Sequence, residues 1–96
     1  GYGMKAIWEG EVIAESDDTI IIESNHYFPR RSLVEKYFSE SNKSTHCPWK
    51  GDASYLSITV NGEVNQNAAW YYPSPKDAAK EITGMVAFWH GIQITK

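Results

Sequence analysis

Apolar and polar positions alternate along most of this chain, and that period of two predicts strands more often than helices. Ala6, Ile7 and Trp8 lead to Gly10, and Val12, Ile13 and Ala14 then run to the polar cluster Glu15, Ser16, Asp17, Asp18, which reads as a turn between strands. An Ile-rich strand follows from Thr19 and is expected to stay extended to Phe28. Its alternation sets Ile21, Glu23, Asn25 and Tyr27 on one face and Ile20, Ile22, Ser24, His26 and Phe28 on the other. The first face turns polar toward its end, where a site is expected to begin.

Pro29 closes that strand, and Leu33, Val34, Tyr37 and Phe38 recur at helical spacing, which predicts a short amphipathic helix over about 30–39, stopped by the polar run Ser39 to Ser44. Arg30 and Arg31 fall in its first turn, where the helix dipole disfavours cations; they are either solvated surface charge or an anion contact. Farther on, Ala53 to Val60 and Glu63 to Tyr72 flank Asn61 and Gly62, a hairpin signal. A two-residue turn would set Leu56 against Asn67 and Ile58 against Asn65. A three-residue loop with Gly62 left-handed separates the faces, and is therefore expected. One face then carries Leu56, Ile58, Val64, Ala68, Trp70 and Tyr72 as core. The other carries Tyr55, Ser57, Thr59, Glu63, Asn65, Asn67 and Tyr71, toward solvent or a site. Ser74 as cap, Pro75 at the first position and Asp77 at the third predict a helix over about 75–83, ended by Gly84. Met85 to His90 is apolar on both alternating faces, which suits a strand covered on both sides.

Ninety-six residues suffice for one core and one domain, expected over 4–96, with Gly1, Tyr2 and Gly3 ahead of Met4 read as an appended remnant. Net charge is −3 with no basic stripe, so nucleic acid is not the expected partner. No apolar run reaches the roughly 18 to 20 residues that span a bilayer, so no membrane partner and a cytoplasmic location are expected. A single Cys, with His26, His46 and His90 at no metal-ligand spacing, gives no metal site, and no cofactor is expected. Oligomeric state has no signature in this sequence.

The chemistry concentrates in Thr45, His46, Cys47, Pro48, Trp49, Lys50, Gly51. Cys47 beside a His and near a Lys invites a thiolate nucleophile, yet an extended chain points His46 and Cys47 to opposite faces. The thiol is either packed as a small hydrophobe or activated by a group from elsewhere, such as Lys50, Glu23, His26 or His90. Lys50 either pairs with Glu23 or Asp52 across neighbouring strands or reaches an anionic ligand beside Gly51. Tyr27 and Tyr55 are the expected ligand-facing hydroxyls, and Trp70, mostly packed, is expected as a pocket wall. The leading expectation is therefore a polar, aromatic-walled pocket where Glu23, Asn25 and Tyr27 meet Cys47, Lys50, Tyr55 and Trp70, binding a small anionic molecule. A thiol-dependent enzyme using Cys47 and a non-catalytic module presenting aromatics to a protein are the rivals, so whether the chain is an enzyme stays open.

A set of motifs also carries a resemblance: Trp8 and Gly10; Tyr27, Phe28, Pro29; Cys47, Pro48 with Lys50, Gly51, Ala53 and Tyr55; and Trp70, Tyr72, Pro73 and Pro75. Together they resemble the bacterial and fungal family called domain of unknown function 427, also labelled nucleotidyltransferase-like, across nearly all of Met4 to Lys96. The resemblance implies a mainly β, β-tent architecture of two antiparallel sheets packed at an angle, as in methionine-R-sulfoxide reductases and zinc-binding Rab exchange factors. Those relatives hold zinc with paired Cys-x-x-Cys motifs, whereas Cys47 stands alone here. The reductases' catalytic Cys motif is missing too, so neither zinc nor that activity carries over.

Overall fold

Asn61 and Gly62 both adopt positive φ, 49° and 80°, the twist that lets two strands turn back on themselves in two residues. They join the two central strands of the larger sheet of a mainly β molecule, whose described residues form nine strands with antiparallel sheet pairing. A computed structural model describes residues 3–96; Gly1 and Tyr2, two of the three residues read as an appended remnant, lie outside them. In chain order the strands are β1 (Met4–Trp8), β2 (Glu11–Ser16), β3 (Ile20–Ile22), β4 (Asn25–Tyr27), β5 (Phe38–Cys47), β6 (Gly51–Val60), β7 (Glu63–Tyr71), β8 (Val86–Phe88) and β9 (Gln93–Thr95). They form a sheet of order β2-β1-β9, a ribbon β3-β4, and a sheet of order β5-β6-β7-β8. Two larger sheets were expected, and the ribbon is additional. It abuts the larger sheet through Phe28 and Val86, whose backbones exchange hydrogen bonds of 2.7 and 2.8 Å.

The expected three-residue loop is overturned: Val60 pairs with Glu63 directly across Asn61 and Gly62. Segregation of polar from apolar positions is achieved farther along, by a change of register. Near the turn Ile58 faces Asn65, but beyond it Leu56 faces Ala69, so Ser57 alone spans Gln66, Asn67 and Ala68. Asn67 takes φ 57° and donates its backbone N–H to the Ser57 hydroxyl at 3.1 Å. The two-residue turn, not the shift, sets Val64 opposite Thr59 and Trp70 on the face of Tyr55 rather than Leu56, and Val64, expected in the core, is 63% exposed. A matching shift occurs on the other neighbour of β6, where Ser41, Asn42 and Lys43 lie between the pairs Glu40–Leu56 and Ser44–Ser54.

Further expectations need correction. The extended strand from Thr19 to Phe28 is a hairpin: Glu23 and Ser24 form its turn with φ of 53° and 66°, and Ile20 faces Tyr27 while Ile21 faces His26. Ile21 is therefore parted from Tyr27 and is 62% exposed. The helix over 30–39 is reduced to 3-10 turns at Arg30–Ser32 and Glu35–Tyr37, and the polar run after it is strand β5. Between those turns Val34 donates to the Ile13 carbonyl at 2.8 Å and Leu33 bridges Ala14, so tertiary pairing with β2 holds the backbone extended where a helix would need it coiled. The segment expected over 75–83 is likewise a 3-10 stretch, Asp77–Ile82, with Gly84 left-handed behind it. Its expected Ser74 cap is not used; Lys76 stands at the N-cap and bonds the Lys50 carbonyl at 2.8 Å.

Each face of the larger sheet is buried against a different layer. One face carries Leu56, Ile58, Val60 and Ala69, which pack with Ile13, Phe28 and Phe88. The opposite face carries Ala53 and Tyr55, which pack with Tyr27, Tyr72, Ala79 and Ile82. Among the described residues no helix is long and apolar enough to cross a membrane.

Candidate functional site

The turn Pro48, Trp49, Lys50 links β5 to β6, and it is fixed from outside the hairpin. Lys76 donates its backbone N–H to the Lys50 carbonyl and its Nζ to the Pro48 carbonyl at 2.7 Å. The same strap passes close over Gly51, where a side chain would meet Lys76 N at 3.5 Å and Pro75 Cα at 3.6 Å. Gly51 also holds φ of 113°, a conformation that only glycine adopts without strain. Both distances are ordinary contacts, so it is the φ that calls for glycine here.

Lys50 is 6% exposed, an unusual environment for a lysine. Its Nζ donates to Glu23 Oε1, and it lies over the Trp49 ring at 5.2 Å and the Tyr72 ring at 5.6 Å from their centroids. Burial by itself pushes the Lys50 ammonium down; the hydrogen bond to Glu23 and the neighbouring Tyr27, Tyr72 and Glu23 outweigh it, so its pKa lies above the usual lysine value. Lys50 is thus a cation, not a free amine. The bond from Lys50, then its charge, hold the Glu23 carboxyl below its usual range. Glu23 is the exposed partner, with 54% of its side chain open to solvent at the tip of the β3-β4 ribbon.

Most of the other expected residues are engaged with protein partners. Tyr27, fully buried, accepts a hydrogen bond from Trp70 Nε1 at 3.2 Å, and the two rings meet edge to face at 6.3 Å. Tyr55 is 7% exposed, and its hydroxyl is bonded to Thr45 Oγ1 at 2.9 Å. Both hydroxyls therefore point to protein partners within the cluster. Asn25 lies on the ribbon opposite Ile22, on the side of Tyr27 and next to the turn that carries Glu23. Cys47, half-buried, packs against the same aromatic cluster, while His46 leaves on the other side of β5 and sits 2.8 Å from Asp52 Oδ1. His26 Nδ1 lies 3.3 Å from Thr19 Oγ1, and His90 stacks on Trp89 at 4.1 Å, so each histidine is engaged with a group other than the thiol.

Two members were not among the expected ligand contacts: Trp49, which adjoins Lys50 in the chain, and Tyr72, which was expected as core and is 5% exposed. Among the described residues no buried side-chain nitrogen or oxygen lacks a partner, and no cluster of three His, Cys, Asp or Glu side chains forms a metal-ligand set. Open volume lies elsewhere. A groove of about 610 Å³ runs over the far part of the same sheet face, between β5 and β7. A second, of about 400 Å³, is lined by Asp18, Pro29, Arg30, Arg31, Thr83, Gly84 and Met85. There Arg31 faces Asp18 at 3.5 Å and Arg30 faces Glu35 at 3.4 Å, so both guanidinium groups have carboxylate neighbours.

A family model described as a domain of unknown function (DUF427) matches residues 2–95. No curated protein matches the chain.

Proposed function

The chain belongs to the DUF427 family, whose description assigns it no activity, and we propose from the Lys50 cluster that it is a small-anion-binding domain in which a ligand's anionic group replaces the Glu23 carboxylate on Lys50. One observation carries this reading: a buried, protonated lysine walled by aromatic rings has as its counterion a carboxylate borne on an exposed hairpin tip. Taking a cation out of water is costly unless an anion stays beside it, so the position selects strongly for negative charge while leaving the source of that charge open. Glu23 supplies it from the exposed tip of the β3-β4 ribbon. An incoming carboxylate or phosphate offers Lys50 the same contact, and Trp49, 39% exposed, would cover its outer side. The three histidines are engaged away from Cys47, which favours binding over thiol catalysis.

Thermal unfolding in inorganic phosphate, acetate and oxalate, each matched against chloride at equal ionic strength, tests the proposal. At least one of these anions is expected to raise Tm saturably in the native chain and to have no such effect on Lys50→Met. Equal responses in both chains, or none in either, would refute it.

A further inference from the structure

The 610 Å³ groove exists because β6 is short of residues relative to both of its neighbours. Three residues of β5, Ser41 to Lys43, stand against Tyr55 alone, and three of β7, Gln66 to Ala68, against Ser57 alone. Each surplus lifts its strand away from the sheet plane, so the two flanking strands rise as walls and β6 becomes a floor. Ser41 Oγ donates to Asn67 Oδ1 from one wall to the other, and Ser57 at 9% exposure lies on the floor beneath. Bulges that re-aim side chains on both sides of one strand build a concavity where a regular sheet would be flat.

The groove's chemistry is narrow. Ser39, Ser41, Ser57 and Thr59 supply hydroxyls, and Asn42, Gln66 and Asn67 supply amides. Glu40 turns its carboxylate to the Tyr71 hydroxyl at 2.7 Å, and Lys43 is drawn over the Tyr55 ring at 5.5 Å. A phosphate would find a single cation already engaged with a ring, and an apolar ligand would bury hydroxyls without partners. Hydroxyls and amides both donate and accept, and so match a ligand whose groups do the same. Beside Asn67 stands Trp89, 42% exposed yet held in place: its Nε1 donates to the Asn67 carbonyl at 2.6 Å, and its ring meets Trp70 at 5.6 Å and Tyr55 at 6.3 Å. A fixed, half-open indole next to a hydroxyl-lined hollow offers an apolar face to the C–H side of a ring whose edges carry hydroxyls.

We infer that this groove is a second binding site, separate from Lys50, for a neutral polyhydroxylated molecule of mono- or disaccharide size. The volume lies within the roughly 300–1,000 Å³ of small-molecule pockets. The test is a nuclear magnetic resonance titration of the full chain with glucose, ribose and maltose, following the side-chain amides of Asn42, Gln66 and Asn67 and the Trp89 indole. At least one sugar is expected to move these signals together and saturably in the millimolar range. Gln66→Ala, at an exposed position where folding is not at stake, is expected to weaken binding about fivefold. Trp89→Ala should abolish it, and Lys50→Met should leave it unchanged. The inference is overturned if none of the three sugars gives saturable shifts up to tens of millimolar, or if the shifts are the same in Gln66→Ala.

Discussion

Each face of the β5-β6-β7-β8 sheet buries a cluster of side chains, and the two clusters are chemically unlike. On one, Leu56, Ile58 and Val60 pack against Ile13, Phe28 and Phe88, with no buried charge. On the other, Tyr27 and Tyr72 lie beside a buried lysine, and the polar ends of Tyr27, Trp70 and Tyr55 bond to one another or to nearby side chains. The first is held by volume; the second is held by matching polar partners inside an apolar setting. Specific recognition needs the second kind of environment, since a partner exchanged there is strongly felt whereas a change of shape alone is not.

Substitutions can separate the two faces. Leu56→Ala opens a cavity in the aliphatic layer and is expected to cost about 2–5 kcal/mol in urea unfolding. Tyr27→Phe keeps the volume of the aromatic layer but leaves Trp70 Nε1 without its acceptor, and should cost only about 1 kcal/mol. If Tyr27→Phe proved the costlier, polar matching would be carrying far more of the fold than the packing suggests. Lys50→Met exchanges a buried cation for an apolar chain of similar length, and Glu23 is free to turn to water. At neutral pH the variant is expected to be as stable as the native chain or slightly more so.

The pH dependence sharpens the same contrast. Because the Glu23 carboxyl is lowered in the folded chain, its contribution is complete above the ordinary value of 4.5 and is lost as pH falls from there through the folded value. Lys50 is raised, so its contribution is complete below 10.5 and fades as pH climbs through the folded value. Plotted against pH, the Tm of the native chain should therefore fall more steeply than that of Lys50→Met in both acid and alkali. Parallel curves would mean that the pair does not couple to folding. Val64→Thr marks the small end of the scale: at 63% exposure the change should stay within about 0.5 kcal/mol, whereas a core valine would lose far more.

How far these features could be read beforehand depended on the range of the forces that set them. The dominance of strands, the turn at Asn61 and Gly62 and the left-handed Gly84 are local, and were legible from alternation and glycine placement. The opposite orientations of His46 and Cys47 followed from the same period of two. The change of pairing along β7 was not legible, because the register shift at Ser57 depends on a backbone bond from Asn67 that no local pattern announces. The helix over 30–39 failed for a similar reason: Val34 and Leu33 pair with β2, and that distant partner prevails over local spacing. Lys50 and Glu23 were named together from charge and position. The pairing of a Lys50 buried among Tyr27, Tyr72 and Trp49 with an exposed Glu23 needed the ribbon turn at Glu23, which an unbroken strand had hidden.

Everything proposed for the Lys50 cluster turns on whether Glu23 occupies the place of an external anion. Calorimetric titration of inorganic phosphate into the native chain and into Glu23→Gln addresses this directly. Gln keeps the length of the side chain and removes its charge, so the ligand no longer competes with a resident carboxylate. Binding to Glu23→Gln is expected to be about tenfold tighter or more, with the gain absent when Lys50→Met is added. Equal or weaker binding to Glu23→Gln would contradict the exchange of anions on Lys50.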